Sequence, residues 1–342
     1  MNNGEILILK SHEVVSLLEG QERVLIDIVQ RAYEAHAQKA SSLPHSTFLR
    51  FPDDQVNRII ALPAYLGQDF GVAGLKWVSS FPGNLNQGMD RASAVVVLNS
   101  PLTGRPHAFL EASAISAKRT AASAALAAKH LHNGHRTYSL GIIGAGLINF
   151  EIVRSILASR AETNKLVIFD IDNERAAQFK KRCNTAFPEV DAVVETQIEN
   201  VLKSCSLVSF ATTAGTPYVS DLSMCPRGTT ILHISLRDLT PQVILSCENV
   251  ADDVDHACRA NTSLHLAEQL LGDRSFINCE LADVLLGQKA VRQNGKATVV
   301  FSPFGLGVLD LAVSKYVYDL ALEKGLGTAM NNFFSCSWLE RN

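Results

Sequence analysis

Several features are scarce or missing in this chain, and each narrows what it can be. There is no run of 18 apolar residues, so no membrane-spanning helix is expected. No basic cluster occurs and the net charge is −3, which makes nucleic acid an unsuitable partner. Cysteine is sparse and unpatterned. The seven (Cys183, Cys205, Cys225, Cys247, Cys258, Cys279 and Cys336) are odd in number and none has C-x-x-C spacing, so reduced and mostly buried thiols are expected, with no metal. The start of the chain, Met1-Asn2-Asn3-Gly4-Glu5-Ile6, has neither a basic segment nor a long apolar core, so no signal peptide is expected and the cytoplasm is the expected compartment. Charged residues make up only 19%, against 47% hydrophobic; with 342 residues this predicts about two domains with sizeable cores and no extended disorder. Internal repeats and low-complexity tracts are absent.

What is present is organised around residues 137–172. Thr137 to Ile143 reads as a buried strand, followed at once by Gly144-Ala145-Gly146-Leu147-Ile148-Asn149. Phe150 to Arg160 places Ile152, Val153, Ile156 and Leu157 at helical spacing, and Leu166-Val167-Ile168-Phe169 is a second strand that ends in Asp170. Strand, glycine turn, helix, strand, acid is the order a dinucleotide site needs. Gly144 permits a sharp turn, Gly146 lets the backbone approach a pyrophosphate, and the helix N-terminus at Leu147 and Ile148 offers N–H groups and a partial positive charge. Asp170, 24 residues beyond Gly146, is placed to bond ribose hydroxyls. A carboxylate there favours NAD over NADP because it would repel a 2′-phosphate, although Arg175 is near. The third glycine position holds Asn149, which is expected to set the helix further from the sheet.

Before this stretch the pattern differs. A short strand at Ile6–Leu9, a helix from Ser11 to Leu18 and an amphipathic helix from Gln21 to Lys39 precede successive strands at 47–51, 58–62, 72–79, 92–99 and 107–111. Their close succession predicts a mostly antiparallel or mixed sheet. Ser113 to Leu131 is a helix crowded with Ala and Ser, within which Arg119 would be costly to bury without an anion. His130, His132 and His135 invite a metal reading, but a solvated helix end before Gly134 is the better expectation. After Asp170, helices at 174–183 and 198–203 alternate with strands at 192–194, 206–211, 230–235, 249–253 and 298–302. Ligands gather at strand carboxyl ends in such sheets, which points to Thr212, Thr213, Ser235, Asp238 and Ser302. A final amphipathic helix from Gly305 stops at Gly325, and no strand is expected after it.

These residues together resemble the ornithine cyclodeaminase/μ-crystallin family along nearly the whole chain. The marks are Gly74-Leu75-Lys76-Trp77, Thr103-Gly104-Arg105-Pro106, Lys118-Arg119-Thr120-Ala121-Ala122, Gly144-Ala145-Gly146, Thr212-Thr213-Ala214-Gly215-Thr216-Pro217 and Phe304-Gly305-Leu306-Gly307-Val308-Leu309-Asp310. The resemblance implies a homodimer with a Rossmann-type doubly wound parallel sheet and a discontinuous α+β substrate and dimerisation domain. The expected division is 1–132 together with 312–342 for the substrate domain, and 133–311 for the NAD-binding domain. One branch is the more similar, the dehydrogenases of 2,3-diaminopropionate biosynthesis, on Phe48-Leu49-Arg50, residues 57–63, Met89-Asp90-Arg91-Ala92-Ser93 and Glu111-Ala112-Ser113. Ornithine cyclodeaminases tend to carry an acid where Ala61 stands, and its absence argues against a diamine substrate.

The resemblance further implies that Arg50, Lys76 and Arg119 hold an α-carboxylate, a task suited to the planar fork of Arg. Arg58 and Arg91 suit further carboxylates. Asp238 is the candidate base for water and for the amine proton. Asp310 reads as a helix-terminus charge or a cofactor neighbour, with the structural role the better expectation. The expected reaction is oxidative cleavage of N-(2-amino-2-carboxyethyl)-L-glutamate with NAD. Cyclodeamination of ornithine or lysine, imine or keto-acid reduction, and ligand binding without turnover stay open as alternatives.

Overall fold

The computed structural model describes residues 5–132, 138–160, 162–291 and 295–334; Asn133, Gly134, His135, Thr137 and Cys336 of the features above lie outside them. The chain divides into two compact units, one of Met1–Gln21, Ala35–Arg119 and Leu306–Asn342, the other of Glu22–Glu34 and Thr120–Gly305. The first part of the chain forms β1 (Ile6–Leu9), α1 (Ser11–Leu18), α2 (Glu22–Ala37), β2 (Ser41–Ser42), β3 (Thr47–Phe51), β4 (Asp54–Leu66), β5 (Val72–Ser80), β6 (Ala92–Asn99), β7 (Pro106–Glu111) and α3 (Ser113–Leu131).

The second unit continues with β8 (Ser139–Ile143), α4 (Leu147–Ser159), β9 (Lys165–Phe169), α5 (Asn173–Ala186), β10 (Asp191–Val194), α6 (Ile198–Ser204) and β11 (Leu207–Phe210). Then come β12 (Thr230–His233), α7 (Pro241–Leu245), β13 (Glu248–Ala251), α8 (Val254–Ala257), α9 (Ser263–Leu271), β14 (Ile277–Glu280), α10 (Leu281–Leu285) and β15 (Val299–Ser302). Its eight strands lie in the order β10-β9-β8-β11-β12-β15-β13-β14 and every neighbouring pair is parallel. Strands β11, β12 and β15 are buried at every position, as a parallel sheet covered on both faces requires. The strand order reverses at β8 and β11, which makes the loops after them the place where a doubly wound sheet receives ligands.

Asn149, in the third glycine position, has a role that glycine could not fill. Fully buried, its Nδ2 donates to the carbonyls of Ile143 (3.0 Å) and Gly144 (2.7 Å), and its Oδ1 accepts from Ser209 Oγ at 2.7 Å. It ties α4 to β8 and β11. His132 is likewise buried, contrary to the expected solvated helix end. Its Nδ1 lies 2.9 Å from Thr230 Oγ1 on β12, a partner that sequence distance conceals.

Residues 22–34 and 120–132, expected with the substrate domain, group instead with the parallel sheet. Tyr33 Oη bonds Ser123 Oγ at 2.8 Å, Arg23 Nε donates to the Ala158 carbonyl, and Arg160 Nη2 donates to that of Ala128. The sequence reading also passed over α7 to α10 and β14. These are short elements set by local caps: the Thr240, Asp253 and Thr262 side chains each accept a first-turn N–H.

The chain ends in α11 (Gly307–Lys324) and β16 (Thr328–Met330). The first unit's sheet runs β16-β1-β7-β6-β5-β4-β2, with β3 also on β4; β1 and β7 are parallel and the other pairs antiparallel. Helix α11 packs on β4, β5 and β6. Gly74 on β5 permits close strand pairing, since a Cβ there would stand 2.2 Å from the Val97 carbonyl oxygen. The expectation that no strand follows Gly325 is corrected by β16. Gly325 and Gly327 both take left-handed φ (63° and 97°) and turn the chain back so that Thr328–Met330 pairs with β1.

The glycine loop gives a direct test. Gly144 has φ +97°, and a Cβ on it would lie 2.5 Å from the Ala211 carbonyl oxygen; Gly146 has φ −108° and open space where a Cβ would stand. Gly144→Ala is expected to lose about 1–3 kcal/mol of unfolding free energy and Gly146→Ala less than about 1 kcal/mol. Urea denaturation measures both, and equal losses would contradict this reading of the turn.

Candidate active site

The first unit contains a buried ionic cluster. Lys76, in the middle of β5, is 2% exposed, and Arg119 on α3 is 8% exposed. Both reach one fully buried acid, Asp310 in the first turn of α11: Lys76 Nζ donates to its Oδ2 at 2.7 Å and Arg119 Nε to its Oδ1 at 3.0 Å. Lys76 Nζ also lies 3.4 Å from Ser116 Oγ. Burial, with Arg119 alongside, pushes the Lys76 ammonium down to about 8 despite the opposing pull of Asp310. At neutral pH the cluster therefore sets two cations against one carboxylate, and the surplus positive charge suits a ligand carboxylate. Asp310, read from sequence as a structural charge, is the anchor of both cations.

The same sheet carries a second cationic feature. Arg50 on β3 stands directly opposite Arg58 on β4, and Arg58 is opposite Ser80 on β5. Arg91 Nη1 donates to Ser80 Oγ at 3.1 Å. Arg50 lies over the Phe48 ring, 5.6 Å from its centroid. Burial, followed by the charge of Arg50, lowers Arg58 from its ordinary value. Like charges directly opposite in a sheet are unfavourable unless an anion is recruited between them.

In the second unit the loop after β8 has the form a dinucleotide needs. Gly146 is the N-cap of α4, with Leu147 half exposed and Ile148 partly buried in its first turn. Open space at the missing Gly146 Cβ leaves room for a pyrophosphate to approach the backbone, and the helix N-terminus supplies the favourable field. Asp170, the residue after β9, has one oxygen on the Ala145 N–H (2.6 Å) and the other on the Asp172 N–H (3.0 Å), so the acid and the glycine loop are joined directly. These residues fit NAD.

Asp238 lies at the same carboxyl-end side of the sheet and is fully buried. Its Oδ1 accepts from Thr212 Oγ1 (2.5 Å) and Tyr218 Oη (3.1 Å), and its Oδ2 accepts from Ser235 Oγ. Burial alone would raise its pKa, but the bond and charge of His233, with the Ser235 and Thr212 hydroxyls, outweigh that and hold it below 3.8. The carboxylate in turn raises Tyr218 well above its ordinary value, after burial. Asp238 is not a helix cap, because Thr240 caps α7.

Thr212, Ser235 and Ser302, singled out for a cofactor, have their hydroxyls turned to other partners here: two to Asp238, and that of Ser302 to His233 Nδ1 at 3.1 Å. Thr213 is exposed beside them. His233 and Tyr218 were missed. The signal was the position of His233 at the last residue of a strand, five before the acid.

A parallel sheet with its glycine turn at the switch point, joined in one chain to a mixed sheet holding buried cations, defines a two-unit dinucleotide-binding protein. The model of the ornithine cyclodeaminase/mu-crystallin family matches residues 5–325, and the chain belongs to that family. It is 28% identical to the N-((2S)-2-amino-2-carboxyethyl)-L-glutamate dehydrogenase of Staphylococcus aureus (strain NCTC 8325 / PS 47), over 96% of this chain and 99% of that protein. It is also 28% identical to the alanine dehydrogenase of Archaeoglobus fulgidus, over 96% and 99%. Among solved structures, the Thermococcus litoralis Delta(1)-pyrroline-2-carboxylate reductase in complex with NADH and L-proline superposes with a TM-score of 0.88 at 25% identity, covering 94% of this chain and 99% of that one. An archaeal alanine dehydrogenase dimer with bound NAD gives 0.86 at 28%, covering 96% and 100%.

Asp310→Asn would leave two buried cations without their counter-charge. Unfolding free energy is expected to fall by about 3–5 kcal/mol, the loss typical of breaking a buried pair from one side. Lys76→Met added to that variant should restore part of the loss. A loss below about 1 kcal/mol in urea titrations would show that the cluster is solvated.

Proposed function

We propose that this chain is an NAD-dependent amino-acid dehydrogenase that oxidatively cleaves N-(2-amino-2-carboxyethyl)-L-glutamate to 2,3-diaminopropionate and 2-oxoglutarate, working as a homodimer. The observation that carries the reading is the pair of cations on Asp310, a receptor for an amino-acid carboxylate. Lys76 and Arg119, with Arg50, hold the α-carboxylate of the glutamyl part. Arg58 and Arg91 take the additional carboxylates, which is why a substrate with three of them is preferred over alanine or ornithine. Ala61, on β4, offers no acid for a side-chain amine, which weighs against the diamine alternative.

Gly144, Gly146, Leu147, Ile148 and Asp170 hold the dinucleotide, with Thr213 beside it, and NAD supplies the hydride acceptor when bound. Loss of hydride from the glutamyl Cα leaves a C=N iminium, and positive charge appears on the nitrogen. Water then adds to that carbon as Asp238 takes one of its protons, forming a carbinolamine. Collapse breaks the C–N bond: the amine leaves as 2,3-diaminopropionate with a proton returned from Asp238, and the hydroxyl releases its own proton to become the carbonyl of 2-oxoglutarate. Substrate, NAD⁺ and water thus give the two products, NADH and one proton. A carboxylate kept ionised by His233, Thr212 and Ser235 is suited to accept that proton and to stabilise the developing cation.

The test is product analysis with NAD⁺ and each of the conjugate, L-ornithine and L-alanine. The reading expects NADH with equal amounts of diaminopropionate and 2-oxoglutarate from the first, and kcat/KM at least about tenfold lower for the others. Arg58→Ala and Arg91→Ala should each raise KM for the conjugate about tenfold or more while changing kcat less. Proline and ammonia from ornithine at the higher rate would overturn the substrate assignment.

A further inference from the structure

One buried titratable group beside Asp238 touches no reacting atom in that scheme. His233 is fully buried at the carboxyl end of β12, with its ring edge-on to Phe210 at 6.3 Å. Its two nitrogens face opposite ways along the strand ends. Nδ1 lies 3.1 Å from Ser302 Oγ on the adjacent β15. Nε2 lies 3.1 Å from the Asp238 backbone N and 3.3 Å from Asp238 Oδ2. One nitrogen cannot serve both contacts at once. Unprotonated, Nε2 accepts the Asp238 N–H; protonated, it donates to Oδ2. Either way the imidazole stays attached to Asp238, at the backbone or at the carboxylate.

We propose that His233 is a positioning residue for Asp238: anchored on Ser302, its imidazole fixes where the carboxylate points and keeps it ionised until a proton reaches it from the reacting molecule. The proposal rests on the reading of Asp238 as the base. Its geometry is that of an orienting group behind a catalytic one, held by a third residue so that the ring angle is set. The other groups around the pair are accounted for. On the Tyr218 side the phenol donates to Oδ1, and Asp170 acts on that phenol from further away. On the far side of β15, Asp252 follows the Ala251 that pairs with Ser302, and its oxygens are turned to the Asp253, Phe304 and Gly305 amides. On β11 the neighbour is the uncharged Phe210 ring. Among the described residues, His233 is thus the basic side chain recorded against the Asp238 carboxylate.

The experiment needs no substrate for its first arm. Unfolding free energy is measured against pH for the wild type and Asp238→Asn, and again for both in a His233→Phe background. In the wild type the folded carboxyl sits below 3.8, so the advantage of Asp over Asn at 238 is fully present above that value and is lost as the pH falls through the folded pKa. With the imidazole gone, burial dominates and the folded pKa rises above the unfolded one; the advantage then shrinks as pH rises from about 4 to 7. That reversal of slope supports the proposal. His233→Gln, which keeps a donor, should retain the wild-type sign, and Ser302→Ala should shift the curve in the same direction as His233→Phe but less. The same slope in all backgrounds would overturn it, and if His233→Phe does not fold, the Gln and Ala variants decide.

The second arm follows kcat/KM with NAD⁺ and the glutamyl conjugate against pH. His233→Phe is expected to move the acidic limb upward by about one unit. A uniform loss of rate with an unmoved limb would reduce His233 to a packing residue. Asp238→Asn with wild-type activity would sink the base assignment itself, while the first arm still judges what His233 does to the carboxylate.

Discussion

A single buried carboxylate, Asp310, carries one negative charge between two cations taken from different elements, Lys76 from β5 and Arg119 from α3. Each alone would be an unpaired buried ion with a penalty of several kcal/mol. Together they form a cluster that is stable enough to persist and still deficient in negative charge. Helix α11 has to lie on β4, β5 and β6 to deliver Asp310, and a Cβ added at Gly307 would stand only 3.2–3.4 Å from Leu62 and Ala64, so a larger residue would press on the sheet. The C-terminal part of the chain is therefore required by a site whose cations lie 191 residues or more before Asp310.

The second unit solves a different electrostatic problem. Its glycine turn and helix terminus concentrate partial positive charge from the backbone, and the acid just after β9 is bonded into the same loop through the Ala145 N–H. Asp238 shows the opposite balance. Burial would neutralise it, and the His233 imidazole with the Ser235 and Thr212 hydroxyls keeps it charged. The first unit thus works with fixed side-chain charge, and the glycine loop of the second with oriented backbone dipoles.

Much of this was legible in the sequence, and the exceptions share a cause. The parallel sheet was readable because each strand is a short apolar run followed by turn residues, and the glycine loop because its spacing is local. Lys76, Arg119 and Asp238 were singled out from family-like stretches and a strand end, and the structure buries all three. The role of Asp310 was not, because it depends on contacts 234 and 191 residues away in the chain. His132 was misread for the same reason: its partner, Thr230, is 98 residues distant. Asn149 looked like a departure from a pattern, while the structure makes it a three-way tether whose partners include Ser209. Strand β16 was overlooked because three residues after two glycines carry no periodic signal of their own.

The most direct examination of the account is a crystal structure with NADH and 2-oxoglutarate bound. The account predicts the α-carboxylate of 2-oxoglutarate within hydrogen-bonding distance of both Lys76 Nζ and the Arg119 guanidinium, with Asp310 still holding the pair. A bound 2-oxoglutarate whose carboxylates lie on other residues, leaving Lys76 and Arg119 to Asp310 alone, would contradict it.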